Sequence, residues 1–207
     1  MRKEDLIKIW EEANILENKK IIDAFRQIKR EDFVLPEYRD VAYDDTALPI
    51  LDNQTISQPS TVVQMLDYLE LTEGQKVLEI GAGSGYNASL IATIIKPGKL
   101  FTIELSKILF NYAKERLTNF DNIQIFNKDG STGLKKFSPY DRIIVTAACP
   151  EIPIVLIDQL NNNGILLAPV GRYTQDMIKV KKLGNKLVKM SLGKFVFVEL
   201  KGKYGFK

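Results

Sequence analysis

Two periodicities divide the chain. Residues 3 to 30 repeat apolar positions at helical spacing: Leu6, Ile9, Trp10 and Ala13, then Ile21, Ile22, Phe25 and Ile28. Residues 31 to 58 lose that period and contain Pro36 and Pro49, which predicts irregular backbone. "PSTVVQMLDYLEL" predicts a helix opening at Pro59, because proline suits the first helical turn. After Gly74, β-prone runs ("KVLEI", "KLFTIEL", "NIQIFN", "YDRIIVTAA", "GILLAPV") alternate with helical ones ("YNASLIATII", "SKILFNYAKERL", "PIVLIDQL"). That alternation predicts βαβ units and an α/β fold around a doubly wound, mainly parallel sheet. The tail differs: "MIKVKKL", "KLVKMSL" and "KFVFVEL" predict antiparallel hairpins closing one sheet edge. The expected organisation is one compact unit, with an amino-terminal helical and loop extension over residues 1–58 and an α/β domain over 59–207. Trp10, on the apolar helix face, is expected in the core rather than in an oligomer interface, and an oligomer remains possible.

Composition narrows the function. The 207 residues are 45% hydrophobic and 27% charged, typical of a globular protein, and no apolar run approaches the ~18 residues of a membrane span. The first residues mix both charge signs, unlike a secretory or transit signal. A lone Cys149 leaves no internal disulfide and fits a reducing cytoplasm. Without histidine, metal sites of the zinc or haem kind and histidine triads are not expected. The net charge of +3 is scattered, so nucleic acid is not an expected partner. Residues 179–207, the most basic part, read as a solvated face.

"VLEIGAGSGYNASL" carries the strongest local signal. A hydrophobic strand runs into Gly81, Gly83 and Gly85 and a helix follows at once, so backbone N–H groups can approach a ligand. The glycine spacing is not the dinucleotide G-x-G-x-x-G, and the acid Glu79 before it suits a cationic ligand better than a pyrophosphate. Glu104 ends the next strand 19 residues after Gly85, about where an acid meets ribose hydroxyls in Rossmann-type sites. Asp129 and Thr146 fall at the ends of the following strands. The E-x-G-x-G-x-G form resembles the first motif of class I S-adenosylmethionine-dependent methyltransferases. That resemblance implies a Rossmann-like fold, S-adenosyl-L-methionine as cofactor, and a site built from Glu79, Ile80, Gly81, Gly83, Ser84, Gly85, Asn87, Glu104, Leu105, Asp129, Gly130 and Thr146.

A second resemblance is more specific. "DDTALPILDNQTISQPSTVVQML", the glycine motif, "KDGSTG", "PYDRIIVTAACPEIPIVLIDQL", "GILLAPVG" and "FVFVELKGKYGFK" together resemble the protein-L-isoaspartate O-methyltransferase family, in order and spacing, from about residue 20 to the end. It implies methylation of the α-carboxylate of L-isoaspartyl residues in damaged proteins and peptides, followed by collapse to a succinimide and partial return to aspartyl. It implies Ser57 as the catalytic residue, orienting the acceptor carboxylate, with Thr55, Ile56, Ser57 and Ala147 lining the substrate cleft. On the residues alone, Ser57 or Gln58 reads first as a helix cap before Pro59, and Thr146–Ala147 as a strand running out into a loop. Four positions depart from the family pattern: "ILDNQT" where glycines are usual, Ser60 where an aromatic or histidine is common, Lys128 for a glycine, and Glu199 for a proline. The competing readings are a methyltransferase for tRNA or a small metabolite and a non-catalytic isoaspartyl-binding module.

Overall fold

A computed structural model describes residues 1–207. The chain opens with α1 (Lys3–Glu12) and α2 (Lys19–Gln27), passes through two 3-10 turns, and forms a small hairpin of β1 (Leu48–Pro49) and β2 (Thr55–Ile56). Helix α3 (Pro59–Tyr68) follows. Then β3 (Lys76–Ile80), α4 (Tyr86–Ile95), β4 (Lys99–Glu104), α5 (Lys107–Arg116) and β5 (Ile123–Asn127) wind in one direction. The strand β6 (Tyr140–Val145) returns to the other side of β3, and α6 (Ile154–Asp158) leads to β7 (Leu160–Val170). Finally β8 (Gln175–Leu183) and β9 (Lys186–Phe195) add an antiparallel edge. The sheet order is β5-β4-β3-β6-β7-β8-β9, the doubly wound arrangement expected from the alternating pattern. No helix is long and apolar enough to cross a membrane.

Successive residues of the central strands point to opposite faces, and both faces are covered. Val77, Leu100, Ile144, Ile165 and Leu167 join the core packed by α1 to α5. Leu78, Ile80, Ile103, Ile143, Val145 and Leu166 join a second core that includes α6 and the 3-10 turns after β5. Helices α1 and α2 therefore share a core with α4.

Three local expectations need correction. The run 3–30 is two helices, and Ile7 rather than Ile9 is buried on α1; Ile9 and Ala13 face solvent. Neither Ser57 nor Gln58 caps α3 with its side chain. Asp45 does that work from 15 residues upstream, accepting from Ser60 N at 2.8 Å and Ser60 Oγ at 2.6 Å. Ser60 Oγ in turn accepts from the buried Trp10 Nε1 at 2.6 Å, so the Ser60 departure builds a core network. The third correction concerns "KFVFVEL": β9 ends at Phe195, and residues 196–201 cross back over the strand ends. There Val198 O accepts from Ala148 N, and Leu200 N donates to Ala148 O, both at 2.8 Å, making a parallel bridge at the sheet's centre rather than a hairpin at its edge. Glu199 accordingly lies over the carboxyl ends of the strands, paired with Arg172 at 3.3 Å.

Candidate active site

The chain leaves β3 toward β4 on one side and returns to β6 on the other, so a crevice opens at the carboxyl ends of these strands. A cavity of about 250 Å³ lies there, and a second of about 330 Å³ adjoins it. The two share Thr55, Ser57, Thr146, Phe197 and Val198, which makes a two-chambered cleft with Ser57 at the junction. The first chamber is lined by the glycine loop and the end of β4; the second is lined by Ala47, Gln58, Thr61 and Val196.

Most of the residues singled out from sequence converge on the first chamber: Thr55, Ile56, Ser57, Ile80, Gly81, Gly83, Ser84, Asn87, Glu104, Leu105, Gly130, Thr146 and Ala147. Gly85, Glu79 and Asp129 do not line it. Gly85 sits at the N-cap of α4 with φ 89°, where it turns the loop into the helix. The other two support the site from behind.

Glu79 is fully buried, and its position on β3 faces Thr102 of β4. Its carboxylate accepts from Asn87 Nδ2 at 2.7 Å and from Thr102 Oγ1 at 2.5 Å. It thus holds Asn87, which does line the chamber. Burial raises its pKa to about 7, against the opposing pull of those two bonds. A folded-state pKa above the unfolded value means the folded protein binds more protons between roughly pH 4.5 and 7, so stability falls as pH rises through that window. The shift amounts to about 3 kcal/mol. We expect Glu79→Gln to flatten the decline in denaturant stability between pH 5 and 8; an unchanged slope would assign the decline to other groups.

Glu104 is nearly buried, and its two oxygens accept from Gly83 N and Ser106 N, each at 2.9 Å. Burial raises its pKa, opposed by these N–H bonds. Each oxygen retains acceptor capacity beyond that one bond, and Glu104 lines the chamber, as a diol would require. Asp129 instead anchors the tail. Its carboxylate accepts from Ser131 N at 2.8 Å, Ser131 Oγ at 2.7 Å and Lys203 N at 2.8 Å. Burial pushes its pKa up, but those bonds outweigh it and hold the group below the usual carboxylate value.

Close backbone approach shapes the floor. A Cβ on Gly130 would lie 2.7 Å from Ile80 Cγ2, and one on Gly81 would lie 2.4 Å from Thr146 Oγ1. Thr146 Oγ1 bridges toward Ile80 O and Gly81 O at 3.0 and 2.7 Å, fastening β6 to the glycine loop. On the opposite wall, the "ILDNQT" turn keeps a tight shape without glycine, because Asp52 and Asn53 adopt φ of 58° and 53°, a conformation these residues tolerate. Ser57 Oγ makes no hydrogen bond within the protein, while Ser57 O accepts from Arg30 Nη2 at 2.8 Å.

Sequence reasoning missed the tail segment Phe197–Lys201, all of which lines the first chamber. "FVFVELKGKYGFK" marked it as a family segment, but its alternating pattern reads as an edge strand. Tyr86, Ile103 and Leu109 also line the chamber and carried no signal beyond apolar character.

The chain resembles known proteins along nearly its whole length. The profile of the family described as protein-L-isoaspartate(D-aspartate) O-methyltransferase matches residues 1–205. The chain is 46% identical to the protein-L-isoaspartate O-methyltransferase of Methanocella arvoryzae over 184 residues, covering 87% of this chain and 98% of that one. It is 41% identical to that of Korarchaeum cryptofilum, covering 97% of both. Among solved structures, a Plasmodium falciparum protein described as a protein-L-isoaspartate O-methyltransferase, in complex with S-adenosyl-L-homocysteine, superposes with a TM-score of 0.85 at 25% identity, covering 97% of this chain and 99% of that one. A second protein-L-isoaspartate O-methyltransferase structure gives 0.89 at 29% identity, covering 99% of this chain and 67% of that one.

Proposed function

The chain belongs to the protein-L-isoaspartate(D-aspartate) O-methyltransferase family, and on that premise we propose how its own residues carry the reaction. It is an S-adenosyl-L-methionine-dependent enzyme acting on isoaspartyl residues of proteins and peptides. The first chamber suits the cofactor. Its floor has no room for a Cβ at Gly81 or Gly130, its apolar wall is Ile103, Leu105 and Leu109, and Glu104 offers free acceptor positions beside them. Glu104 would hold the ribose hydroxyls, and Gly81, Gly83, Ser84 and Asn87 the remainder, with Glu79 and Asp129 acting from behind. When bound, S-adenosyl-L-methionine supplies a methyl group on a sulfonium, ready for displacement by an anionic oxygen.

The acceptor is the α-carboxylate of the isoaspartyl residue, with a pKa near 3.5, so it arrives ionised and needs no base. This matches a chain without histidine and a Ser57 hydroxyl that hydrogen-bonds to no carboxylate within the protein. Ser57 donates its hydroxyl to one carboxylate oxygen and leaves the other directed at the first chamber. Thr55, Ile56 and Ala147 form the walls that hold the peptide, and Phe197 and Val198 close the junction against water. Residues 1–58 thereby supply Ser57 and its loop, and 59–207 the cofactor side, Ala147 and the closing tail. The ester then collapses to the succinimide without the enzyme.

The observation that carries this reading is the unpaired Ser57 hydroxyl at the junction of the two chambers. The test is transfer of labelled methyl to two matched peptides, one isoaspartyl and one aspartyl. We expect label on the isoaspartyl peptide alone; equal labelling would refute the assignment.

A further inference from the structure

Beneath the Ser57 loop lies a cation with no counter-ion. Arg30 is the one fully buried arginine in the chain, at 0% exposure, and it forms no salt bridge. Its Nε donates to Ala42 O at 2.7 Å and its Nη2 to Ser57 O at 2.8 Å. Its Nη1 is buried without a partner, as is the hydroxyl of Tyr86, whose ring centroid lies 5.1 Å from the guanidinium carbon. Tyr86 is the first residue of α4, immediately after the glycine loop, and it lines the first chamber. One side chain therefore touches the substrate loop and the residue that follows the cofactor loop.

Stability does not explain such a group. A buried guanidinium without a carboxylate carries a large desolvation penalty, and an apolar side chain of similar volume would fold more cheaply. Burial also lowers its pKa, which expresses the same penalty. The one carboxylate whose charge acts on it, Asp45, is already engaged by Ser60. What the arrangement gains is a fixed Ser57 and a positive charge directly behind it. The acceptor in this reaction is an anion that must sit beside Ser57.

We propose that Arg30 is a positioning residue of the transfer reaction: its fork fixes the Ser57 backbone, and its unpaired charge draws the acceptor carboxylate to that loop. The proposal rests on Ser57 being the substrate-facing residue. The fork and the charge are separable. Lysine restores the charge, but a single ammonium cannot reproduce the planar two-point hold on Ala42 O and Ser57 O. Methionine removes both.

The test compares Arg30→Met and Arg30→Lys in the full chain, using an isoaspartyl peptide and S-adenosyl-L-homocysteine. For Arg30→Met we expect the peptide KM to rise about tenfold and kcat to fall about tenfold, with homocysteine-nucleoside affinity within about threefold of the parent. For Arg30→Lys we expect KM to recover while kcat stays low. Activity that falls only with the folded fraction, with KM and kcat of the folded enzyme unchanged, would overturn the proposal. Should Arg30→Met not fold, the parent protein carries the test. The Nε and Nη resonances of the buried arginine should shift on saturation with the isoaspartyl peptide and not with its aspartyl match; no shift overturns it. Ser57→Ala assayed in parallel separates the two readings. Full turnover in Ser57→Ala breaks the premise, whereas a crippled Ser57→Ala beside unimpaired Arg30 variants breaks only the role of Arg30.

Discussion

We expect Ser57→Ala to lower kcat for an isoaspartyl peptide by about 10²-fold and to leave the affinity for S-adenosyl-L-homocysteine within about twofold. The size follows from one hydrogen bond to an anion whose orientation sets the reaction: loss of a comparable oriented donor elsewhere removes about 3 kcal/mol from the transition state. The selectivity follows from geometry. The hydroxyl makes no bond within the protein, and the loop is held through Ser57 O by Arg30 and through Ile50 N–H to Gln54 O, neither of which the substitution touches. Stability should therefore change by less than about 0.5 kcal/mol. Initial rates, titration calorimetry and a thermal melt on the same preparation check all three. Parental turnover would refute the role assigned to Ser57.

The parts legible in the sequence were those set by local period and composition. The βαβ alternation predicted the sheet because each run is long enough to show its period, and "EIGAGSG" located the first chamber because three glycines after a strand have few other uses. Glu104 was found by its distance from that loop. The parts that were hidden depend on side chains meeting across the fold. Asp45 caps α3 from 15 residues away, which no neighbouring-residue rule detects, and so Ser57 looked like the cap. Glu79 precedes Ile80, and adjacent strand residues face opposite ways, so the acid points between the sheet and α4 while Ile80 reaches the cavity. The tail alternates like a strand as far as Leu200, yet pairing stops at Phe195. The buried Gln175 Oε1 takes Phe197 N at 2.7 Å, and Asp129 takes Lys203 N at 2.8 Å, pulling the segment over the cleft. Those two anchors lie 22 and 74 residues from what they hold.

Gly81→Ala should weaken S-adenosyl-L-homocysteine binding by at least about 30-fold and cost about 2 kcal/mol of stability. Two separate penalties add there. Gly81 has φ 97°, outside the range that a residue with a Cβ adopts without strain. The new Cβ would also stand 2.4 Å from Thr146 Oγ1, against 3.8 Å from Thr146 Cβ. Thr146 cannot simply rotate away, because its hydroxyl holds Ile80 O and Gly81 O. Either the glycine loop rises into the chamber or β6 separates from β3, and both displace residues that line the cofactor site. The two penalties can be measured apart. Gly74→Ala places a Cβ in open space at φ 81°, so it should lose about 1 kcal/mol of stability and no cofactor affinity. Adding Thr146→Ala to Gly81→Ala removes the 2.4 Å collision but not the φ, so affinity should return in part while a deficit like that of Gly74→Ala remains. If the double variant binds no better than Gly81→Ala, the backbone conformation alone shapes the floor of the site, and Thr146 does no more than cover it.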